Sequence, residues 1–152
     1  MRVSAKVDYA VRALVELAAA RDTGPVKGEV IAAAQGIPLK FTENILSELR
    51  RAGVVGSQRG AVGGYWLKEP AGSITVADVI RYVEGPLADV RGEPPEEVEY
   101  RGPAGALQDV WIATRATLRS VLEAVTIADI ATGELPDVVR RLSSAPDARS
   151  RR

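Results

Sequence analysis

The chain of 152 residues contains neither cysteine nor histidine. Without cysteine it can form no disulfide and no thiolate nucleophile, and it lacks the sulfur ligands of structural zinc sites and ordinary iron–sulfur clusters. Without histidine it also lacks the commonest general base and the commonest metal ligand. We therefore predict no enzyme activity, no metal site and no bound cofactor.

A long apolar run is missing as well. The first apolar stretch, residues 10–20, is interrupted by Arg12 and Glu16 and is far too short to span a bilayer. We expect a cytoplasmic protein with no membrane partner. The composition, 46% hydrophobic and 26% charged, is close to that of soluble globular domains, and the length suits one domain.

The zero net charge hides an uneven distribution along the chain. Residues 1–70 carry ten Lys/Arg and seven Asp/Glu, whereas residues 71–152 carry ten and thirteen. The first half, at +3, is therefore the half that suits the phosphates of a nucleic acid.

Hydrophobic periodicity predicts three helices and then a hairpin in the first half. The helices extend from Ser4 to Arg21, over about 27–35 and over about 38–52. Two short β-favouring runs, 54–58 and 65–67, flank the glycine-rich loop 59–64.

The second half combines helix signals with one irregular segment. Thr75 and Thr126 each precede an aspartate by three residues, a start signal for a fourth helix and for a short later one. The stretch 104–125 is periodic and predicts a long helix, whereas 87–103 is rich in proline, glycine and acid.

Three helices followed by a hairpin are the pattern of a winged helix-turn-helix. We predict a mainly α fold with a small β-hairpin, in which a long dimerisation helix follows the winged domain. The expected segments are a DNA-binding domain (1–86), an acidic linker (87–103), the dimerisation helix with a short capping helix (104–133) and an extension (134–152) whose basic tail from Ser143 is disordered.

The first turn of helix three has side chains that suit DNA. Lys40 can reach guanine or phosphate, Asn44 can pair with adenine, and Glu43 can accept from cytosine N4, although each could equally be a solvated surface residue. Arg59, on a loop otherwise free of bulky side chains, suits a narrow minor groove, and an ordinary flexible loop is the alternative. The other candidate DNA contacts on these two elements are Thr42, Arg50, Arg51, Gly60, Gly63 and Gly64.

Heptad spacing in the long helix predicts a seam for a partner helix. A lone amphipathic helix after a separate domain has little to bury against, so we expect a homodimer, with a plain core as the alternative. Its two recognition helices would read an inverted repeat with half-sites about 34–36 Å apart. The seam residues are Leu107, Trp111, Thr114, Leu118, Val121 and Val125.

Several segments together resemble the Rrf2 family of bacterial winged-helix transcription regulators. The resemblance covers about residues 1–132 and is carried by Tyr-Ala-Val-Arg-Ala-Leu at 9–14, Leu-Arg-Arg-Ala-Gly-Val-Val at 49–55, Arg-Gly-Ala-Val-Gly-Gly-Tyr-Trp-Leu at 59–67, Glu-Gly-Pro at 84–86 and Thr-Ile-Ala-Asp at 126–129.

The resemblance implies a homodimeric regulator, usually a repressor, whose long C-terminal helices cross between subunits. It implies DNA contacts from Glu43 and its neighbours, a minor-groove contact from Arg59, and phosphate contacts around Ser4 and Tyr9. Pro38 and Lys40 stand where the cluster-binding regulator of the family has serines, which bears on the operator sequence.

The linker departs from the family pattern. Many relatives hold an iron–sulfur cluster on three cysteines there, and the last of these positions resembles Gly105 in a chain that has no cysteine. Carboxylates are poor substitutes for thiolates. We therefore expect a cluster-free regulator that answers to a small-molecule effector, a partner protein or no signal. The alternative is a winged-helix module that binds other proteins.

Overall fold

The computed structural model describes residues 2–150, which form a mainly helical fold with one small hairpin, as predicted. Within these residues no helix is long and apolar enough to cross a membrane. The elements are α1 (Ala5–Ala19), α2 (Gly28–Gln35), α3 (Leu39–Arg51), β1 (Val55–Gln58), β2 (Gly64–Leu67), α4 (Val76–Val83), α5 (Leu107–Leu122), α6 (Ile127–Thr132) and α7 (Asp137–Ser143).

Helix α1 lies at the centre of the fold. Ser4 caps it, because its hydroxyl accepts a hydrogen bond from the Val7 backbone N–H at 3.1 Å. The apolar side of α1 packs against α2, α3, α4, α6 and β2. This side buries Val7, Ala10, Ala13, Leu14 and Leu17.

A tight turn joins α2 to α3. Gly36 has a φ of +61°, a left-handed conformation that favours glycine, and Ile37 donates its N–H to the Ala32 carbonyl at 2.9 Å. Helix α3 starts directly after Pro38, whose missing N–H costs nothing at a helix start.

Strands β1 and β2 form the predicted antiparallel hairpin, with Val55 opposite Leu67 and Gln58 opposite Gly64. The hairpin is tied to the helices by Val26, which exchanges two backbone hydrogen bonds with Tyr65 at 2.8 and 2.9 Å. The loop between the strands, residues 59–63, therefore projects from a firmly held base.

The acidic segment 87–103 is packed onto the body rather than running as a free tether. Its Pro95 and Val98 are buried. From α5, the Gln108 amide donates to the carbonyls of both residues, at 3.3 and 3.0 Å. Arg115 pairs with Glu96 at 2.6 Å, and this hydrogen bond holds the pKa of Glu96 below its usual value.

The C-terminal extension contains a helix that the sequence did not predict. Helix α7 follows Pro136, and none of its side chains is buried. Residues 144–150, in the predicted basic tail, form exposed turns. Arg151 and Arg152 lie outside the described residues.

Candidate nucleic-acid interface

The N-terminal half of α3 presents a polar surface to solvent. Lys40, Glu43 and Asn44 are exposed, as their proposed contact with DNA requires. They lie opposite the buried stripe of Ile45, Leu46 and Leu49, because successive helix residues are rotated by about 100°. Burying this stripe therefore directs the predicted base-reading side chains outward.

The structure corrects the prediction that Thr42 contacts DNA. Its side chain is 1% exposed, and its hydroxyl donates to the Pro38 carbonyl at 3.3 Å. It precedes Ile45 and Leu46 by three and four residues, so the helical spacing already placed it on the buried stripe. Thr42 therefore supports the start of α3 and cannot touch DNA.

A cleft of about 270 Å³ lies between α3 and the hairpin. The Arg50 guanidinium reaches across it to the Ser57 hydroxyl at 3.4 Å. No carboxylate is among the lining residues, so the cleft offers donors that suit a phosphate oxygen. The residues that line it are Ser47, Arg50, Ser57, Gln58, Arg59, Gly64 and Tyr65.

The structure adds three polar residues to the sequence-derived candidates at this cleft: Ser47, Ser57 and Gln58. The pairing of β1 with β2 brings the two hairpin residues next to α3, which no local pattern in the sequence indicates. Arg51, also predicted, is exposed at the end of the helix.

The hairpin loop has an exposed tip and a buried base. Arg59 and Gly60 are exposed. Gly63 and Gly64 are buried, and the burial of Gly63 corrects its prediction as a DNA contact, whereas Gly64 also lines the cleft beside α3. A Cβ on Gly63 would lie 2.2 Å from the Gln58 carbonyl oxygen, and one on Gly64 would lie 2.6 Å from the backbone of Val26. These two glycines allow the loop to close.

The start of α1 lies beside α3. Ser4 and Tyr9 are half-buried there. The ring of Tyr9 meets the edge of Phe41 from α3, with centroids 6.2 Å apart and planes at 75°. Phe41 was not among the predicted site residues, because only the tertiary packing places it at this edge of the interface.

Two basic residues of α1 hold the helix-turn-helix in place. The Arg12 Nε donates to the Gln35 side chain at 3.0 Å, and its guanidinium also reaches the Gln35 carbonyl. The Lys6 ammonium lies 2.8 Å from both the Val83 carbonyl and the Glu48 carboxylate. Arg12 therefore holds α2 against α1, and Lys6 holds α3 and α4 against α1 and leaves Glu48 paired.

Helix α5 carries most of the predicted seam residues, and the protomer leaves them only partly covered. Within Leu107–Leu122 no side chain is fully buried, and Trp111 remains 37% exposed. Gln108 and Arg115 face the packed segment 87–103, and the seam lies about a quarter of a turn around the helix from them.

The structure corrects the prediction that Val125 ends this seam. The helix stops at Leu122, so the heptad spacing no longer holds at Val125. Its side chain is 7% exposed within the protomer, and its carbonyl accepts the N–H of Val76 at 2.9 Å. Val125 therefore belongs to the core of the single chain.

Comparisons with known proteins find relatives over most of the chain. The profile of the Rrf2 family, described as an iron-dependent transcriptional regulator, matches residues 3–133. A protein of Mycobacterium tuberculosis, provisionally named an HTH-type transcriptional regulator, is 51% identical over 143 residues, covering 94% of this chain and 89% of its own.

Two solved structures share the fold. CymR, the global cysteine regulator of Bacillus subtilis, matches with a TM-score of 0.75 and 34% identity, covering 88% of this chain and 98% of its own. IscR from T. potens matches with a TM-score of 0.72 and 30% identity, covering 100% of this chain and 93% of its own.

The residues of this chain do not fit the iron centre that the family description implies. The sequence has no cysteine and no histidine, so thiolate and imidazole ligands are both missing. Among residues 2–150, no group of three or more acidic side chains is placed to hold a metal ion. No step of the function is therefore assigned to iron.

The family match extends over nearly the whole described chain, and the relatives regulate transcription rather than catalyse reactions. Both findings agree with a helix-turn-helix in which the polar side of α3 and the tip of the hairpin loop at Arg59 are both exposed. The chain belongs to the Rrf2 family of winged-helix transcription regulators.

Proposed function

We propose that the chain is a homodimeric repressor of bacterial genes that acts in the cytoplasm and reads an inverted repeat. Helix α3 enters the major groove, and the wing loop 59–64 approaches the adjacent minor groove through Arg59. Lys40, Glu43 and Asn44 read base edges, whereas Ser4 and Tyr9 approach the phosphate backbone.

The donor-lined cleft between α3 and the hairpin is the observation that carries this proposal. It brings Arg50 of the recognition helix and Arg59 of the wing to one opening that no carboxylate lines. A phosphate held there would lie between the two elements that enter the two grooves. Phosphate contacts of this kind set the register in which base-reading side chains act.

A second copy of this chain is the proposed partner of α5. Trp111 and Leu118 lie on the seam that the protomer leaves uncovered, and heptad spacing suits an identical helix. A two-fold axis through this contact would pair two reading heads, the DNA-binding domains of residues 1–86, with two half-sites about 34–36 Å apart. Bound there, the dimer blocks other proteins from the same DNA.

The signal is proposed to be a small-molecule effector or a partner protein. The Arg81 guanidinium connects the reading head to α5, because it pairs with Asp78 of α4 and with Glu123 just after α5. A ligand or partner that competes for Glu123 would act on this connection. Protein binding through the winged fold, in place of DNA binding, is the alternative function.

Selection of genomic fragments by the purified chain tests the proposal. Retained fragments should share an inverted repeat, and affinity for them should fall steeply with salt because phosphate contacts release counterions. Failure to retain any fragment, or an affinity that does not depend on salt, would favour the protein-binding alternative.

A further inference from the structure

Phe41, the single phenylalanine of the chain, stands exposed in the first turn of α3. Its side chain is 55% exposed, although phenylalanine is among the residue types most often found buried. The three predicted base-reading residues of the same helix segment are polar and gain from hydration. The apolar ring does not, so on a surface that enters a groove it can offer an apolar contact.

The ring of Phe41 is held by a chain of fixed contacts. Its edge meets Tyr9, and the Arg12 guanidinium lies 5.5 Å from the centre of the Tyr9 ring. Arg12 is itself held by Gln35 at 3.0 Å and by Asp8 at 3.0 Å. These contacts restrict the ring on the side facing α1, so Phe41 loses less side-chain entropy when it contacts a ligand.

Phe41 lies at one edge of the surface that enters the groove. Lys40 and Asn44 share the middle of the exposed side of α3, because they are separated by four residues. Phe41 is rotated by about 100° from Lys40, toward α1. When α3 lies in a major groove, the ring lies next to the polar side chains that read base edges.

The edges of the bases offer one apolar group in the major groove, the C5-methyl of thymine. A phenyl ring has no hydrogen-bond donor for a phosphate or for a base edge, so this methyl is the matching chemistry. We infer that Phe41 contacts one thymine methyl in each half-site and thereby determines specificity at that base pair. This inference rests on the proposed function.

Replacing single thymines by deoxyuridine in a duplex recovered from the genomic selection tests the inference. Deoxyuridine lacks only the C5-methyl group, so the wild-type protein is compared on DNA that differs by one methyl. We expect one position per half-site at which affinity falls about fourfold, the effect of one buried methyl-sized group.

A variant of the protein completes the test. F41A should bind the thymine duplex more weakly than wild type and should show no further loss on deoxyuridine at that position. Y82A is the matched control, because Tyr82 is an exposed aromatic on α4 outside the interface. Y82A should discriminate thymine from deoxyuridine as the wild type does.

Two results would overturn the inference while leaving the proposed function intact. One is a wild-type protein that binds every substituted duplex with equal affinity. The other is F41A retaining the full preference for thymine. A wild-type protein that binds no genomic duplex would overturn both the inference and the proposed function.

Discussion

Thr75 and Thr126 lie opposite each other in an antiparallel bridge, and each is the N-cap of a helix. Each hydroxyl accepts from the backbone N–H of an aspartate three residues later, at 3.1 Å in both cases. The aspartates, Asp78 and Asp129, accept in return from the threonine N–H groups at 3.1 and 2.7 Å. Helices α4 and α6 therefore begin side by side, joined through their caps.

Removing one cap should destabilise the fold. T75A deletes the hydroxyl that satisfies the Asp78 N–H, and the free energy of unfolding should fall by about 1 kcal/mol. Urea denaturation measures the change. T75S keeps the hydroxyl and serves as the control, so an equal loss in both variants would contradict the role of the cap.

The two caps also predict how stability depends on pH. Burial alone would raise the pKa of Asp78, but hydrogen bonds from Thr75 and the nearby Arg81 outweigh it, so this pKa lies below its usual 3.8. The backbone and hydroxyl of Thr126 lower the pKa of Asp129 in the same direction. The stabilising contribution is therefore fully present above the unfolded-state pKa and is lost as pH falls through the folded-state values.

Unfolding experiments across this range provide the measurement. The free energy of unfolding should be steady between about pH 7 and 5 and should fall below about pH 4. In the double variant D78N/D129N the fall should be shallower, because neither side chain titrates. Identical pH profiles for wild type and double variant would contradict the prediction.

Two residues of the DNA surface should give different binding signatures. R59A should lower operator affinity by roughly 1–3 kcal/mol and reduce the salt slope, because a cation near phosphates is lost. E43Q should lower discrimination at one base pair while leaving the salt slope nearly unchanged. Fluorescence anisotropy at several salt concentrations separates them, and unchanged affinity in both variants would contradict the proposed surface.

Trp111 and Val125 should affect different properties of the protein. W111R places like charges together across the proposed two-fold contact and should shift the protein to monomers in sedimentation experiments. V125A should leave the dimer intact but lower the free energy of unfolding by roughly 2 kcal/mol, since its side chain lies in the protomer core. Dimers that persist in W111R would contradict the seam.

The base of the wing should tolerate no side chain at Gly63. A Cβ there would lie 2.2 Å from a backbone oxygen, so G63A should lower the free energy of unfolding by roughly 1–3 kcal/mol and weaken DNA binding indirectly. Val62, next to it, is 82% exposed, and V62A should leave thermal stability unchanged. A stable G63A would mean that the loop can close differently.

Local patterns predicted the helices that have clear signals but could not predict what tertiary packing decides. The Thr-x-x-Asp pattern identified both caps, yet their bridge joins positions 75 and 126, which no local window relates. Thr42 was misassigned because its polarity outweighed its helical spacing. Phe41 was overlooked because an exposed aromatic in a sequence is indistinguishable from a core residue. Helix α7 has no buried face, so its periodicity is weak.

The burial of Ile127 has a mechanical consequence. This first residue of α6 lies fully inside the core that α1 organises, so the chain after α5 returns into the reading head instead of leaving it on a tether. In the proposed dimer, the packing of each protomer therefore sets the distance between the two-fold axis and helix α3. An operator with one base pair inserted between its half-sites would turn one half-site by about a tenth of a helical repeat, and the proposed dimer should bind it more weakly.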